Sequence, residues 1–346
     1  MRSFVDLDKT FGSQPRALGA ILARIDTGRG QERLFEDQRP EFLSQLAEHA
    51  RIASITASNA IEGVMVGSDR AERIAEGAHR YRNRNEREFA GYRDAIDMLM
   101  RLDSYEELSV PFVLHLHRLL FEYTDGNGGS LKSDQNLIVS YESGRKEVVF
   151  TPTPPEETEF AMSELLVRYG EAKAEGRTHP LILIGALVLD FLAIHPVADG
   201  NGRLARLLTT HELLAQGYRV ARYVSLEQRI FESKNTYYKA LYDSQRDWHE
   251  GEHDVWPWIT YLARVLASAY DDFEKKVAAA EQTGNKQARV RDYILNEAPA
   301  CFRRRDVERA LPGVSLATIR LVLTELRNAG QIKAEGSGAG ARWTRI

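Results

Sequence analysis

A single cysteine, Cys301, occurs in the 346 residues. An internal disulfide is therefore excluded, as is a metal site built on several thiolates, and the expectation is a reducing compartment. Long apolar runs are also missing. The most apolar stretch, Leu181 to Ile194, is shorter than the roughly 20 residues a bilayer helix needs, and it carries Asp190. It reads as a buried helix, so no membrane partner is expected. Neither charge dominates: 46 Lys and Arg against 50 Asp and Glu leave a net charge of −4, which gives no global pull toward nucleic acid or an anionic surface. The nine histidines fall without metal-ligand spacing, and His115 and His117 read as surface or core residues. Near the start, Asp6, Asp8 and Lys9 leave no apolar signal region, so the expected location is cytoplasmic. The length suffices for two or three domains with real cores.

What is present is concentrated in one loop, His195-Pro-Val-Ala-Asp-Gly-Asn-Gly-Arg-Leu-Ala-Arg206. The apolar stretch precedes it, and Leu204 to Gln216 repeats apolar residues at helical spacing, so the loop joins two helices. Gly200 and Gly202 let the backbone take positive φ and turn its N–H groups into an anion-binding nest at the mouth of the second helix, whose dipole also favours phosphate. Asp199 supplies a hard oxygen suited to a magnesium ion that shares phosphate oxygens, and Asn201 offers a neutral amide to the same phosphates. Arg203 and Arg206 lie on one helix face and can clamp phosphate bidentately. His195 is then the candidate general base for an incoming hydroxyl. The chain carries its own control in Asp125 to Gly128, a second Asp-Gly-Asn-Gly with neither the histidine before it nor the arginines after it, which reads as a plain loop.

At these residues the sequence resembles the Fic (Fic/Doc) family, whose signature is His-Pro-Phe-x-Asp/Glu-Gly-Asn-Gly-Arg-x-x-Arg. Val197 stands where the family usually has Phe, and its side chain is expected to point into the core and anchor the loop. The resemblance implies a mainly α fold, a Fic helical core with a small β-hairpin flap. It implies transfer of AMP from Mg-ATP to a Ser, Thr or Tyr hydroxyl of a target protein. By position, His195 would deprotonate the hydroxyl and Asp199 would hold Mg2+. Gly200, Asn201 and Gly202 would bind the α- and β-phosphates, Arg203 the β-phosphate and Arg206 the γ-phosphate.

Three further segments fit the same resemblance. Ser58-x-x-x-Glu62-Gly63 looks like the family's inhibitory motif. Ser58 and Glu62 fall at i and i+4, and Gly63 is a natural stop for a helix running from about Glu41. The resemblance implies that Glu62 pairs with Arg206 and displaces the γ-phosphate. Asn136 to Thr151 carries two short runs rich in Val, Ile and Phe about a Ser143-Gly144 turn, a hairpin signal; in Fic proteins a hairpin here is the flap that pairs with the target segment. Tyr237 and Tyr238 match a paired-Tyr stretch that the resemblance puts near the adenine, and Trp256-Pro257-Trp258-Ile259 reads as packing.

The expected domains are an N-terminal helical domain over 1–105, the Fic core over 106–280 and a third unit over 286–346, after a polar linker at Glu281 to Asn285. Within 1–105, the Arg- and Glu-dense run from Arg70 to Arg93 reads as a solvated helix face. In the third unit, helices over Gln287–Asn296, Arg303–Leu311 and Ser315–Ala329, with Ser315 as N-cap, follow one another; a Pro312-Gly313-Val314 turn separates the last two. Strands at 331–335 and 341–344 then flank a Gly-rich tip, Gly336 to Gly340. That order looks like a winged helix-turn-helix whose third helix, with Arg320 and Arg327, would be the recognition helix. It supports an alternative, a DNA-binding regulator with a weakly active or vestigial Fic core. Transfer of a group other than AMP is a third reading, which the intact Gly-Asn-Gly-Arg disfavours. Family members of this architecture often form homodimers.

Overall fold

The computed structural model describes residues 2–346 apart from 37–39, 103, 106, 127, 143–144, 312 and 337–340. It divides into two compact units, Met1–Phe273 and Glu274–Ile346. Both are mainly helical. Among the described residues no helix is long and apolar enough to cross a membrane.

The first unit is organised around α8, Pro180–Ile194, in which every residue from Leu181 onward is buried. A helix apolar on all sides must be covered on all sides, and α8 is packed by α7 (Pro155–Glu175), α9 (Asn201–Ala215) and α12 (Lys234–Gln245). Asp190 is its one polar residue, and it is satisfied: the Ser3 amide and hydroxyl and the Trp248 indole all donate to its carboxylate. Each fully buried Leu or Ile side chain of such a helix contributes roughly 1.5–3 kcal/mol, so the start of the following loop is held firmly. Around this centre, α3 (Pro40–Ile61) packs on α5 (Arg84–Met100), α9 and α11 (Leu226–Glu232), while α6 (Val110–Leu120) packs on α5 and α9. β1 (Ile138–Glu142) and β2 (Arg145–Phe150) pair antiparallel, from Ile138 opposite Phe150 to Glu142 opposite Arg145. The expected Ser143-Gly144 turn between them lies outside the described residues.

The control loop, Asp125 to Gly128, follows the end of α6 as turn and bend, with Asp125 fully exposed; its Asn127 is outside the described residues. The charged run around α5 departs from expectation. Glu86, Glu88 and Arg93 are buried, not solvated. Arg70 grips both oxygens of Glu86 at 3.0 Å, and Arg93 donates to the Ile74 carbonyl at 2.8 Å. Charge composition alone cannot separate a wet helix face from a buried ion-pair layer, because burial is set by the other helices that pack over the run.

The second unit has its own core, in which Val290, Ile294, Phe302, Val307, Ile319, Val322, Leu323, Leu326 and Ile332 are buried together. Helices α14 (Arg304–Ala310) and α15 (Leu316–Asn328, N-capped by Ser315) precede β4 (Ile332–Glu335) and β5 (Arg342–Arg345). A strand not anticipated, β3 (Cys301–Arg303), completes an antiparallel sheet of order β3-β5-β4. Three residues are too few to show a strand period. Pro312 and most of the Gly-rich tip are outside the described residues. The polar segment 281–285, expected as a linker, lies within helix α13 (Trp256–Asp292). Polarity marks solvation, which a helix tolerates as well as a linker does.

Candidate active site

α8 stops at His195 because that residue takes a left-handed conformation, φ 53°, while its N–H still donates to Phe191 O at 2.9 Å. A non-glycine residue there is uncommon, and the buried neighbours on both sides hold it. The ring Nδ1 lies 3.2 Å from Leu192 O. A carbonyl can only accept, so Nδ1 carries the hydrogen and Nε2 keeps its lone pair. Burial pushes the imidazole down to about 4, the Leu192 hydrogen bond opposes this, and the nearby Lys132 charge adds to it. His195 is thus a neutral acceptor at physiological pH.

The loop then closes on itself. Val197 is fully buried, as expected for an anchor. The buried Asn201 amide spans it, Oδ1 accepting from Val197 N at 3.1 Å and Nδ2 donating to Val197 O at 2.7 Å. Asn201 therefore spends its side chain on loop shape. Gly200 sits at φ 88° as N-cap of α9, a conformation that a side chain would strain.

The two arginines face different partners. Arg203 is buried, donates through Nη1 to Glu88 Oε2 at 2.7 Å, and lies over the Phe121 ring at 5.2 Å. Its Nη2 is 3.9 Å from Asp199 Oδ1, while Arg84 Nη2 approaches the other Asp199 oxygen at 3.6 Å. Arg206 is also buried. Its Nε donates to Ser58 Oγ at 2.8 Å, and its Nη2 to Ser58 O at 3.0 Å and to Glu62 Oε1 at 2.9 Å. Burial works against its charge, but the Glu62 carboxylate together with Tyr237 and Tyr92 outweighs this and its pKa is raised. The remaining nitrogen, Arg206 Nη1, is buried without a hydrogen-bond partner among the described residues.

Glu62 reaches this point from the end of α3. Gly63, at φ 79°, ends the helix, and Glu62 is the first residue past it. A methyl group placed on Gly202 would overlap Glu62 Oε1 and stand 3.4 Å from Arg206 Nη1. The carboxylate thus lies directly over the glycine at the mouth of α9, where helix dipole and N–H groups favour an anion.

Tyr237 is buried against Trp258 and Tyr261, beside Arg206, and Tyr238 packs edge-on to it at 5.1 Å with 44% of its surface exposed. Among the described residues no three His, Cys, Asp or Glu group as a metal site. Asp199 stands as a lone, largely exposed carboxylate. His117 is a core residue, accepting through Nδ1 from the Gly129 amide at 3.0 Å. Sequence reading missed Glu88, Arg84, Lys132 and Asn136. A buried acid four residues from Arg84 had a local signal in the i, i+4 spacing, but Lys132 and Asn136 had none.

The arrangement brings a neutral imidazole, a left-handed glycine at a helix N-terminus and two buried guanidiniums together within one loop and the helix it opens. The profile of the Fic/DOC family matches residues 107–213. The protein adenylyltransferase and cysteine protease IbpA of Histophilus somni (strain 2336) is 31% identical over 125 residues, 36% of this chain and 3% of that protein. A Fido domain-containing protein of Dictyostelium discoideum is 32% identical over 88 residues, 24% of this chain and 62% of the relative. The chain thus spans less than two thirds of either. A Fic family protein from Desulfovibrio desulfuricans G20 shares the fold with a TM-score of 0.66 at 20% identity, over 96% of this chain and 97% of that one. Fic-1 from C. elegans aligns with a TM-score of 0.55 at 18% identity, over 75% of this chain and 70% of the other. Residues 107–213 thus form a segment that matches the Fic/DOC family, set in a chain whose fold is shared with solved Fic proteins.

Proposed function

We propose that the chain is a protein adenylyltransferase held in check by Glu62. The observation that carries this reading is the Glu62 carboxylate resting on Arg206 above Gly202, beside an Arg206 nitrogen that has no hydrogen-bond partner among the described residues. An internal anion occupies a cradle made for anions, and one donor waits for an oxygen that Glu62 does not supply. The naming of the Histophilus relative as an adenylyltransferase supports the choice of transferred group.

In this reading Arg206 receives the γ-phosphate once Glu62 leaves, Arg203 the β-phosphate, and the backbone of Gly200 to Gly202 the α- and β-phosphates. Arg203 shares its charge with Glu88, and its buried Nε has no partner among the described residues. Asp199 suits magnesium, since one exposed carboxylate leaves the rest of the shell to phosphate oxygens and water; the ion would neutralise charge on the triphosphate. Tyr238 offers an exposed ring for the adenine, backed by Tyr237. β1 and β2 hold the target segment by strand addition. His195 Nε2 takes the proton from the target hydroxyl as its oxygen attacks the α-phosphorus. The bond from that phosphorus to the bridging oxygen breaks, and pyrophosphate leaves. Label is therefore expected to pass to protein from α-labelled ATP and never from γ-labelled ATP; appearance of the γ label on protein makes the enzyme a kinase.

The second unit supports a winged helix-turn-helix reading by its order of helices and strands. On α15, Arg320, Thr324 and Arg327 are exposed beside Leu316 and Leu321, which are 39% and 47% exposed. The arginines suit a phosphate backbone, whereas the leucines suit a protein surface. Duplex binding through this unit is expected to weaken by orders of magnitude between about 50 and 200 mM salt. Duplex retention that ignores salt, or no retention at all, removes the DNA reading.

A further inference from the structure

An α-helix leaves its last carbonyls without intrahelical partners. At the end of α8 the unpaired carbonyls are those of the catalytic loop, and in this chain the segment leading into β1 meets them. Lys132 donates through its backbone N to Pro196 O at 2.9 Å and through Nζ to Ile194 O at 3.0 Å. The same Nζ donates to Asn136 Oδ1 at 2.9 Å, which orients the Asn136 amide. Asn136 Nδ2 then donates to His195 O at 3.3 Å and Val197 O at 3.0 Å. Four consecutive carbonyls, from Ile194 to Val197, are thus bound by two residues four apart.

The other leg of the hairpin is fastened to the same place. Thr153 N, just beyond β2, donates to Ala193 O at 3.3 Å. Gln135 Nε2 bridges the legs through Asn136 O at 2.9 Å and Pro152 O at 3.1 Å. The Lys132 side chain is buried, and burial lowers its amine to about 8. A buried cation is costly to place, but at a helix C-terminus its charge meets the negative end of the dipole. That location also explains how His195 can hold a left-handed backbone: every carbonyl around it is tied.

We propose that Lys132 and Asn136 are positioning residues that fix the β1–β2 hairpin and His195 as one unit, so that a hydroxyl presented along the hairpin meets Nε2 at a set distance. The inference rests on the reading of His195 as base and of β1–β2 as target dock. Neither residue touches nucleotide in that reading, so their loss acts on turnover and leaves ATP binding alone. Charge and donor at position 132 must come together with the amide at 136; either alone leaves His195 O or Ile194 O unpaired.

The test uses the full chain carrying Glu62→Gly, in which transfer is unmasked, with Lys132→Met, Asn136→Ala or Lys132→Arg added. Transfer from α-labelled ATP is followed together with the 15N signals of the His195 imidazole. The expected result is a kcat at least tenfold lower for Lys132→Met and Asn136→Ala, with KM for ATP within about twofold, a shifted His195 signal, and recovery of most of both in Lys132→Arg. Unchanged kcat and unchanged His195 signals overturn the proposal. So does loss of ATP binding in step with kcat and a lowered melting temperature in both variants, which marks general destabilisation. Asn136 is partly exposed, so its variant retains the core if Lys132→Met does not fold. If the Glu62→Gly parent itself transfers nothing while the His195 signals shift in Lys132→Met and return in Lys132→Arg, the positioning role stands and the adenylyl reading falls.

Discussion

Transfer of label from α-labelled ATP to the chain itself is expected to rise on the order of tenfold to a hundredfold when Glu62 becomes glycine. The magnitude follows from the contact removed: hydrogen bonds to a charged partner are worth about 1.5–3 kcal/mol, and each 1.4 kcal/mol is a factor of about ten. Glu62 and a γ-phosphate are both anions, and the Glu62 oxygen 2.9 Å from Arg206 Nη2 already overlies Gly202. One of the two must leave. Because Glu62 is the first residue beyond α3, glycine there interrupts no helix, and Glu62→Gln, which keeps size and drops charge, serves as the control. Adding Arg206→Ala is expected to abolish the gain, since the clamp itself goes. Should Glu62→Gly and Glu62→Gln both transfer at the parent rate, Glu62 is no inhibitor and its contact with Arg206 is structural.

Replacing His195 by alanine in the Glu62→Gly background is expected to lower transfer by roughly 10²–10⁴-fold, the range for a positioned acid or base, while ATP binds within about twofold. The imidazole accepts a proton and holds no phosphate. Alanine is ill suited to the left-handed backbone at 195, so His195→Asn, which tolerates it, separates lost base from lost loop shape; both variants are expected to be inactive. The pH profile follows from the same ring. Its pKa is lowered to about 4 by burial, and Glu62 raises it, so removing Glu62 cannot move it upward. The base is neutral above its pKa. kcat/KM of Glu62→Gly is therefore expected to stay level as pH falls from 7.5 to about 5.5 and to decline only toward 4, without the break near 6.5 of an ordinary histidine. An inflection at 6.5 removes the lowered pKa of the base, and equal loss of ATP binding and turnover in His195→Asn removes the general-base role.

Much of this site was legible in the chain. Gly200 announces the turn and Gly63 the end of α3, because positive φ is a property of one residue, and Ser58 and Glu62 announce one helix face; Gly202, expected at positive φ as well, is helical within α9 and leaves room for Glu62 instead. The apolar stretch 181–194 announces a covered helix, since nothing else can be done with such a surface in water. The polar stretch 281–285 misled in the other direction: solvation is compatible with both linker and helix, and the chain there is helical. β3 left no mark at all, as a strand of three residues exists only through its pairing with β5.

The sequence by itself determined the chemistry of the loop from His195 to Arg206, since those groups are neighbours in the chain and local backbone preferences suffice to gather them. Tertiary structure decided who meets them. Glu62 stands 144 residues from Arg206 and Glu88 115 from Arg203. Lys132 stands 62 from Ile194. No spacing rule reaches across such intervals; apolar burial chose which helix faces meet, and the charges on those faces then had to find partners because an unpaired buried charge costs too much to keep.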